Sequence, residues 1–112
     1  MSDCLFCKIA RGEIPAEKVH DDGEVFAIKD INPQAPLHLL LIPHRHMDTI
    51  LDPGLSSIAG RIFDTAAALA RKHGHAEQGF RVVANCNRDA GQTVFHIHFH
   101  LLAGRRFAWP PG

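Results

Sequence analysis

The chain predicts an α+β fold, a roughly five-stranded antiparallel sheet with one long and one short helix, in a single domain over residues 1–112. Three observations carry this. Residues Val94 to Leu101 alternate large apolar side chains with His96, His98 and His100, the period of a strand. Leu39-Leu40-Leu41-Ile42 is wholly apolar, as a central strand buried on both faces would be. Between these runs, Leu55, Ile58, Ile62, Thr65 or Ala66, and Leu69 recur every three or four residues, the spacing of one amphipathic helix.

The other elements follow in order. Asp3 to Arg11 reads as a short helix, with Asp3 as its cap and Gly12 as its stop; Leu5 and Ile9 share a face with Phe6 beside it. Glu17–His20 and Val25–Lys29 form a hairpin around the turn residues Asp21-Asp22-Gly23-Glu24. Asn32 to Pro36 is a rigid loop, because both prolines bias the residue before them toward extended backbone. His38–Ile42 is the buried strand, stopped at Pro43. Asp52-Pro53 starts the long helix, which ends near Gly74 and carries Arg61, Asp64, Arg71 and Lys72 on its outer side. Gly79–Asn85 is a fourth strand, Arg88–Thr93 a polar loop, and Arg105–Gly112 an irregular end. With helices covering one face, the histidines are expected on the sheet face or strand ends away from the long helix.

Composition narrows the partners. A 112-residue chain buries only a modest core, so a dimer is a natural way to cover more apolar surface. Formal net charge is zero, which argues against nucleic acid or a membrane surface as a partner. No apolar run approaches the ~20 residues of a membrane span. The start, Met1-Ser2-Asp3-Cys4, has no basic region followed by a long apolar stretch, so no signal peptide is expected. The odd cysteine count (Cys4, Cys7 and Cys86) fits a reducing, cytoplasmic setting.

On an ideal strand His96, His98 and His100 share one face about 6–7 Å apart, with Phe95, Ile97, Phe99 and Leu101 on the other. Three readings of the triplet stand side by side. Alternate histidines can ligate a metal, although such sites commonly add a carboxylate and Asp89 is the only acid after Phe80. They can be polar residues on a solvated face, which leaves their identity unexplained. They can be a nucleophile with its helpers, since imidazole attacks phosphorus or acyl carbon near neutral pH. The preceding Gly91-Gln92-Thr93 favours the last reading. Glycine lets backbone amides approach an anion, successive N–H groups form a concave anion site, and the Thr93 hydroxyl adds a donor.

These residues resemble the histidine triad (HIT) superfamily, whose motif His-x-His-x-His followed by two apolar residues is here His96-Ile97-His98-Phe99-His100-Leu101-Leu102. The likeness spans nearly the whole chain. Phe6-x-Lys8-Ile9, Gly12-Glu13-Ile14-Pro15-Ala16, Asp30-Ile31-x-Pro33-Gln34-Ala35-Pro36, Leu41-Ile42-Pro43, Gly91-Gln92-x-Val94 and Trp109-Pro110-Pro111-Gly112 are similar to the Hint branch, the histidine triad nucleotide-binding proteins that act as purine nucleoside phosphoramidases. The resemblance implies a homodimer whose sheets join into one. It also implies hydrolysis of nucleoside 5′-phosphoramidates through a nucleotidyl-histidine, with a purine nucleoside monophosphate or phosphoramidate as ligand and no cofactor required for catalysis.

By position His98 would be the nucleophile. His100, Gln92, Thr93 and loop amides, Gly91 included, would neutralise the phosphate, while His38 and His96 would steer protonation. Asp30 would accept from the ribose hydroxyls, Asn85 would line the phosphate side, and Phe6, Ile9, Ile28 and Ile31 would form the base slot; core packing is the plain alternative for Phe6, Ile9 and Ile28. Thr93 stands where serine is frequent and Lys29 where histidine is sometimes found. A nucleotide-binding regulatory module with incidental hydrolysis, and a dinucleoside polyphosphate hydrolase, are the alternative functions. The Trp-Pro-Pro-Gly ending disfavours the second. Cys4 and Cys7 are half of a zinc site. Some bacterial members bind zinc through two cysteines and two histidines, which here would be His46 and His96, in a closed structural site. A metal-free dithiol is the other reading.

Overall fold

The computed structural model describes residues 3–112. Its elements are α1 (Leu5–Ala10), β1 (Lys18–Asp21), β2 (Val25–Lys29), β3 (Leu37–Pro43), α2 (Ala59–Lys72), β4 (Phe80–Val83) and β5 (Phe99–Ala103). The strands form one antiparallel sheet in the order β1-β2-β3-β5-β4. The β1–β2 turn is built by its own aspartates: Asp21 accepts from the Gly23 amide at 3.0 Å, and Asp22 from the Glu24 and Val25 amides at 2.9 and 2.8 Å.

Both faces of the sheet are apolar, for different reasons. Val25, Ala27, Leu39, Leu41, Phe99 and Leu101 pack on Ile62, Ala66 and Leu69 of α2. Phe26, Ile28, Leu40 and Ile42 point the other way, onto Phe6 and Ile9 of α1. This is why Leu39–Ile42 lacks polar alternation: β3 is central and covered on both sides. His100 pairs across the sheet with Leu40, so it lies on the α1 side, away from the long helix as expected.

Several expectations need correction. α1 is capped by Cys4, whose sulfur accepts from the Cys7 amide at 3.4 Å, and not by Asp3. β3 runs through Pro43, at a strand end where the missing N–H is tolerated. The Asp52-Pro53 signal does start a helix, with the Asp52 carboxylate on the Gly54 amide at 2.8 Å, but it is a 3-10 turn over Pro53–Ser57. The Ser57 hydroxyl bonds back to the Gly54 carbonyl at 2.8 Å, competing with the α ladder, and the chain resets at Ile58 before α2 begins at Ala59. The largest correction concerns the triplet. Only His100 lies within β5; His96 and His98 precede it in irregular backbone, and the Ile97 amide donates to the Met47 carbonyl at 2.7 Å. The alternation fails at its start, where Phe95 is exposed and His96 is fully buried.

Gly104, directly after β5, has φ +96°, and a Cβ there would lie 2.8 Å from Pro36 Cβ. This close approach seats the Asn32–Pro36 loop against the end of the sheet. Gly104→Ala is expected to destabilise the fold by about 2 kcal/mol, read as a lower urea midpoint at unchanged slope.

Candidate active site

A cleft of about 760 Å³ opens on the α1 side of the sheet, a size suited to a nucleotide-sized ligand. Its lining combines apolar Leu5, Phe6, Ile9, Ile28, Ile31 and Leu40 with Asp30, Asn85, Gly91, Gln92, Thr93, His98 and His100. Phe6, Ile9 and Ile28 serve both readings offered above, since they line the cleft and are buried in the α1-side core. Ile31 is fully exposed, at the rim. Sequence reasoning assigned no site role to Leu40, Leu5, Val94 or the Pro15-Ala16-Glu17 segment, all of which border the cleft. An uninterrupted apolar run such as Leu39–Ile42 carries no sign of which member meets a ligand.

His98 is held by its own neighbour. Its Nδ1–H donates to the His96 carbonyl at 2.9 Å, and its ring stands edge-on to Phe6 with centroids 5.2 Å apart. A neutral imidazole protonated at Nδ1 has a bare Nε2, and His98 lines the cleft. The hydrogen bonds also fix a tautomer next door. His38 Nδ1 accepts from the Gln34 amide at 3.0 Å, so a neutral His38 carries its proton on Nε2. That proton faces His100 Nδ1 at 2.9 Å, with Asp30 Oδ2 at 3.3 Å. His100 Nδ1 must then accept, which leaves its Nε2–H as a donor on the cleft side. Burial, with the neighbouring His98 and His38, pushes the His100 pKa down to about 4, so it stays neutral near pH 7. Burial lowers His38 as well, with Asp30 opposing.

His38 itself does not line the cleft; it reaches the site through His100 and Asp30. Asp30 does line it, and its other oxygen accepts from the Asn32 amide at 2.8 Å. Gln92 departs from its expected role. Its side chain donates to the Asp48 and Val94 carbonyls at 2.8 and 3.1 Å and accepts from the Asn87 amide at 2.8 Å. The Gln92 and Gly91 amides are engaged inside the same loop. Gln92 is therefore a staple that shapes the loop, and loop donors for an anion must come from Thr93, which is exposed, and the amides after it.

His96 lies outside the cleft, fully buried, in a second cluster with Cys4, Cys7 and His46. His96 Nε2–H donates to the Pro43 carbonyl at 2.7 Å and His46 Nε2–H to the Asp48 carboxylate at 2.6 Å. Both inner nitrogens are thus unprotonated in the neutral rings, yet they face each other at 3.2 Å. Cys4 Sγ lies 3.3 Å from His96 Nδ1, and Cys7 Sγ lies 3.4 and 3.5 Å from the two inner nitrogens. Two thiol protons could satisfy two lone pairs but would not relieve the nitrogen–nitrogen contact. A tetrahedral zinc with two sulfur and two nitrogen ligands has edges of about 3.3–3.8 Å, within a few tenths of these distances. The outer nitrogens already hold the partners that such ligands use. Burial pushes the Cys7 thiol up, and it pushes His96 down to about 4, so cation-free this site favours neutral groups.

Asp30, His38 and His100 also converge. That group does not fit a metal, because the outer nitrogen of His38 accepts from an amide and its inner nitrogen must carry the proton.

The described helices include none long and apolar enough to cross a membrane. Residues 11–107 match the model of the HIT domain. The chain is 45% identical over 105 residues to the purine nucleoside phosphoramidase of Escherichia coli K12, covering 92% of this chain and 88% of that one. Its fold overlays a HIT family hydrolase from Legionella pneumophila with TM-score 0.95 and 51% identity, covering 98% and 100% of the two chains. It also matches a Zn-bound histidine triad family protein from Mycobacterium smegmatis with TM-score 0.80 and 31% identity, over 99% and 81%. With the triplet and the five-stranded sheet in agreement with these matches, the chain belongs to the HIT domain family, whose solved members include hydrolases.

Proposed function

We propose that the protein binds purine nucleotides and hydrolyses nucleoside 5′-phosphoramidates through a nucleotidyl-His98 intermediate. The observation that carries this reading is the 2.9 Å bond from His98 Nδ1–H to the His96 carbonyl, which leaves the other ring nitrogen free at a cleft. The similarity to a protein named purine nucleoside phosphoramidase supports the bond broken.

In the first step His98 Nε2 attacks, in line, the phosphorus of a substrate protonated on its amine nitrogen; the bond from phosphorus to His98 forms as the bond to the amine breaks, and the neutral amine departs with the bonding electron pair. In the second, water attacks the same phosphorus, the bond to His98 breaks with its electron pair returning to Nε2, one water proton passes to solvent, and the nucleoside monophosphate leaves with the new oxygen. Division into two displacements replaces one difficult step with two easier ones. The His100 Nε2–H and Thr93 hydroxyl would donate to the phosphoryl oxygens, taking the place a cation holds in many phosphoryl transfers. The apolar lining of the cleft would hold the base, with Asp30 near the ribose. Quenching a reaction with adenosine 5′-phosphoramidate should yield one nucleotidyl group on His98 by peptide mass spectrometry. An adduct on another residue, or none during turnover, rejects the mechanism.

We further propose that Cys4, Cys7, His46 and His96 hold a structural zinc, a set suited to a reducing compartment such as the cytoplasm. When bound, the metal would tie α1 to the segment before β5. We also propose a homodimer, formed where β4 leaves a sheet edge unpaired within the chain, with Phe80 and Phe63 of α2 partly exposed nearby. Sedimentation should give the mass of two chains at micromolar concentration; a single-chain mass there would refute it.

A further inference from the structure

The nucleophile and the cysteine cluster share one residue, His96. Its ring belongs to the cluster, and its main-chain carbonyl holds His98 Nδ1 at 2.9 Å. His98 lies in irregular backbone before β5, so the sheet ladder does not fix it. What holds this stretch is a set of lateral ties to residues 43–48. His96 Nε2 reaches the Pro43 carbonyl at 2.7 Å, the Ile97 amide reaches the Met47 carbonyl at 2.7 Å, and the Gln92 amide group reaches the Asp48 carbonyl at 2.8 Å. The cluster adds His46 from that same segment, Cys7 of α1 and its cap Cys4.

α1 has only six residues, too few to be stable alone; it carries Cys7 together with Phe6 and Ile9 of the cleft wall, and Cys4 caps it. The Phe6 ring stands edge-on to His96 and His98, at 5.9 and 5.2 Å. The cluster is therefore placed to act on both the attacking ring and the surface on which a ligand lies.

We infer that the Cys4–Cys7–His46–His96 cluster, holding a divalent cation, is a positioning device for catalysis: it fixes the His96 carbonyl that keeps His98 in its attacking tautomer, and it fixes the α1 wall of the cleft. This rests on the nucleotidyl-His98 reading and goes beyond a structural staple. Emptied of its cation, the cluster no longer ties His46 and the two cysteines to the His96 ring. His96 is then free to turn or shift, and its carbonyl moves with it. His98 then loses its single tautomer. A misplacement of about 1 Å at a reacting group costs on the order of 100-fold in rate.

The test compares zinc-loaded protein with protein stripped by a chelator, with folding followed by circular dichroism. Nitrogen-15 spectra of the His98 ring should show one Nδ1-protonated tautomer when loaded and a mixture when stripped. The rate constant for nucleotidyl-His98 formation should fall about 10- to 100-fold, with a smaller rise in the half-saturating substrate concentration. Both should recover in proportion to zinc restored. A stripped, folded protein with the same tautomer and rate overturns the inference, as does a wild-type protein that takes up no zinc. If stripping unfolds the chain, Asp48→Asn serves instead, because it removes the carboxylate that orients His46 while leaving all four ligands. Its rate must then track zinc occupancy, and a full rate at low occupancy overturns the inference. Absence of any nucleotidyl-His98 in loaded wild type defeats the proposed function instead, and the tautomer measurement still decides the role of the cluster.

Discussion

Replacing His98 with alanine is expected to lower turnover of an adenosine 5′-phosphoramidate by about 10⁴-fold or more, with nucleoside monophosphate affinity changed only a few-fold. The two numbers separate because the groups are separate. The apolar lining of the cleft includes Phe6, Ile9, Ile28 and Leu40, which pack on one another in the α1-side core, and of these Phe6 also meets the His98 ring edge-on. The bond-forming nitrogen has no substitute. His100 has its Nδ1 occupied by His38 and presents a donor, and His96 is buried behind the cleft. Single-turnover kinetics beside calorimetry of the monophosphate measure both quantities. Turnover within tenfold of wild type would remove His98 from the nucleophile's role, and loss of affinity by the same factor as turnover would make it a binding residue.

Acid is expected to destabilise the fold between pH 6.5 and 4. The cause is burial of His100, reinforced by the neighbouring His98 and His38, which moves its pKa from 6.5 down to about 4. Across that interval the unfolded chain binds a proton that the folded chain refuses. Unfolding is favoured as pH falls, so the stability held above the unfolded value drains away toward the folded one. For His100 the loss is about 3 kcal/mol. His38 is displaced in the same direction, and in metal-free protein His96 adds to the effect. Urea midpoints at pH 7.5, 5.5 and 4.5 should fall in sequence, and His100→Asn should flatten part of the fall. A midpoint independent of pH over this range would contradict the buried-imidazole account.

The parts of the fold that could be read from the sequence are those set by local pattern. Val25–Lys29 is a strand with the expected ends, and the apolar run Leu39–Ile42 lies in a central one. The break at Ile58 was hidden, because an apolar spacing of three and four continues across it while serine hydroxyls compete for the carbonyls. The triplet misled in a more instructive way. Its alternation is that of a strand, yet a tertiary bond from the Ile97 amide to Met47 and the burial of His96 take its first half out of the sheet. Gln92 spends its side-chain donors on the Asp48 and Val94 carbonyls, and the amide pattern of the loop does not reveal which carbonyls fold toward it. Phe6, Ile9, Ile28, Asp30, Asn85, Thr93, His98 and His100 line one cleft, and Cys4, Cys7, His46 and His96 lie together beside it; the route by which one touches the other, through the backbone of His96, has no signature in the sequence.

The two sides of the sheet answer to different demands. On the α2 side the inward residues form an apolar core with no cleft, so drift there is filtered by heat tolerance. On the α1 side the same strands border the cleft, so under the proposed function drift is filtered by which molecules the protein accepts. Libraries screened for survival at high temperature should thus accumulate changes on one side, and libraries screened against new leaving groups on the other, with few positions shared. Such a division lets a lineage alter its diet without rebuilding its frame.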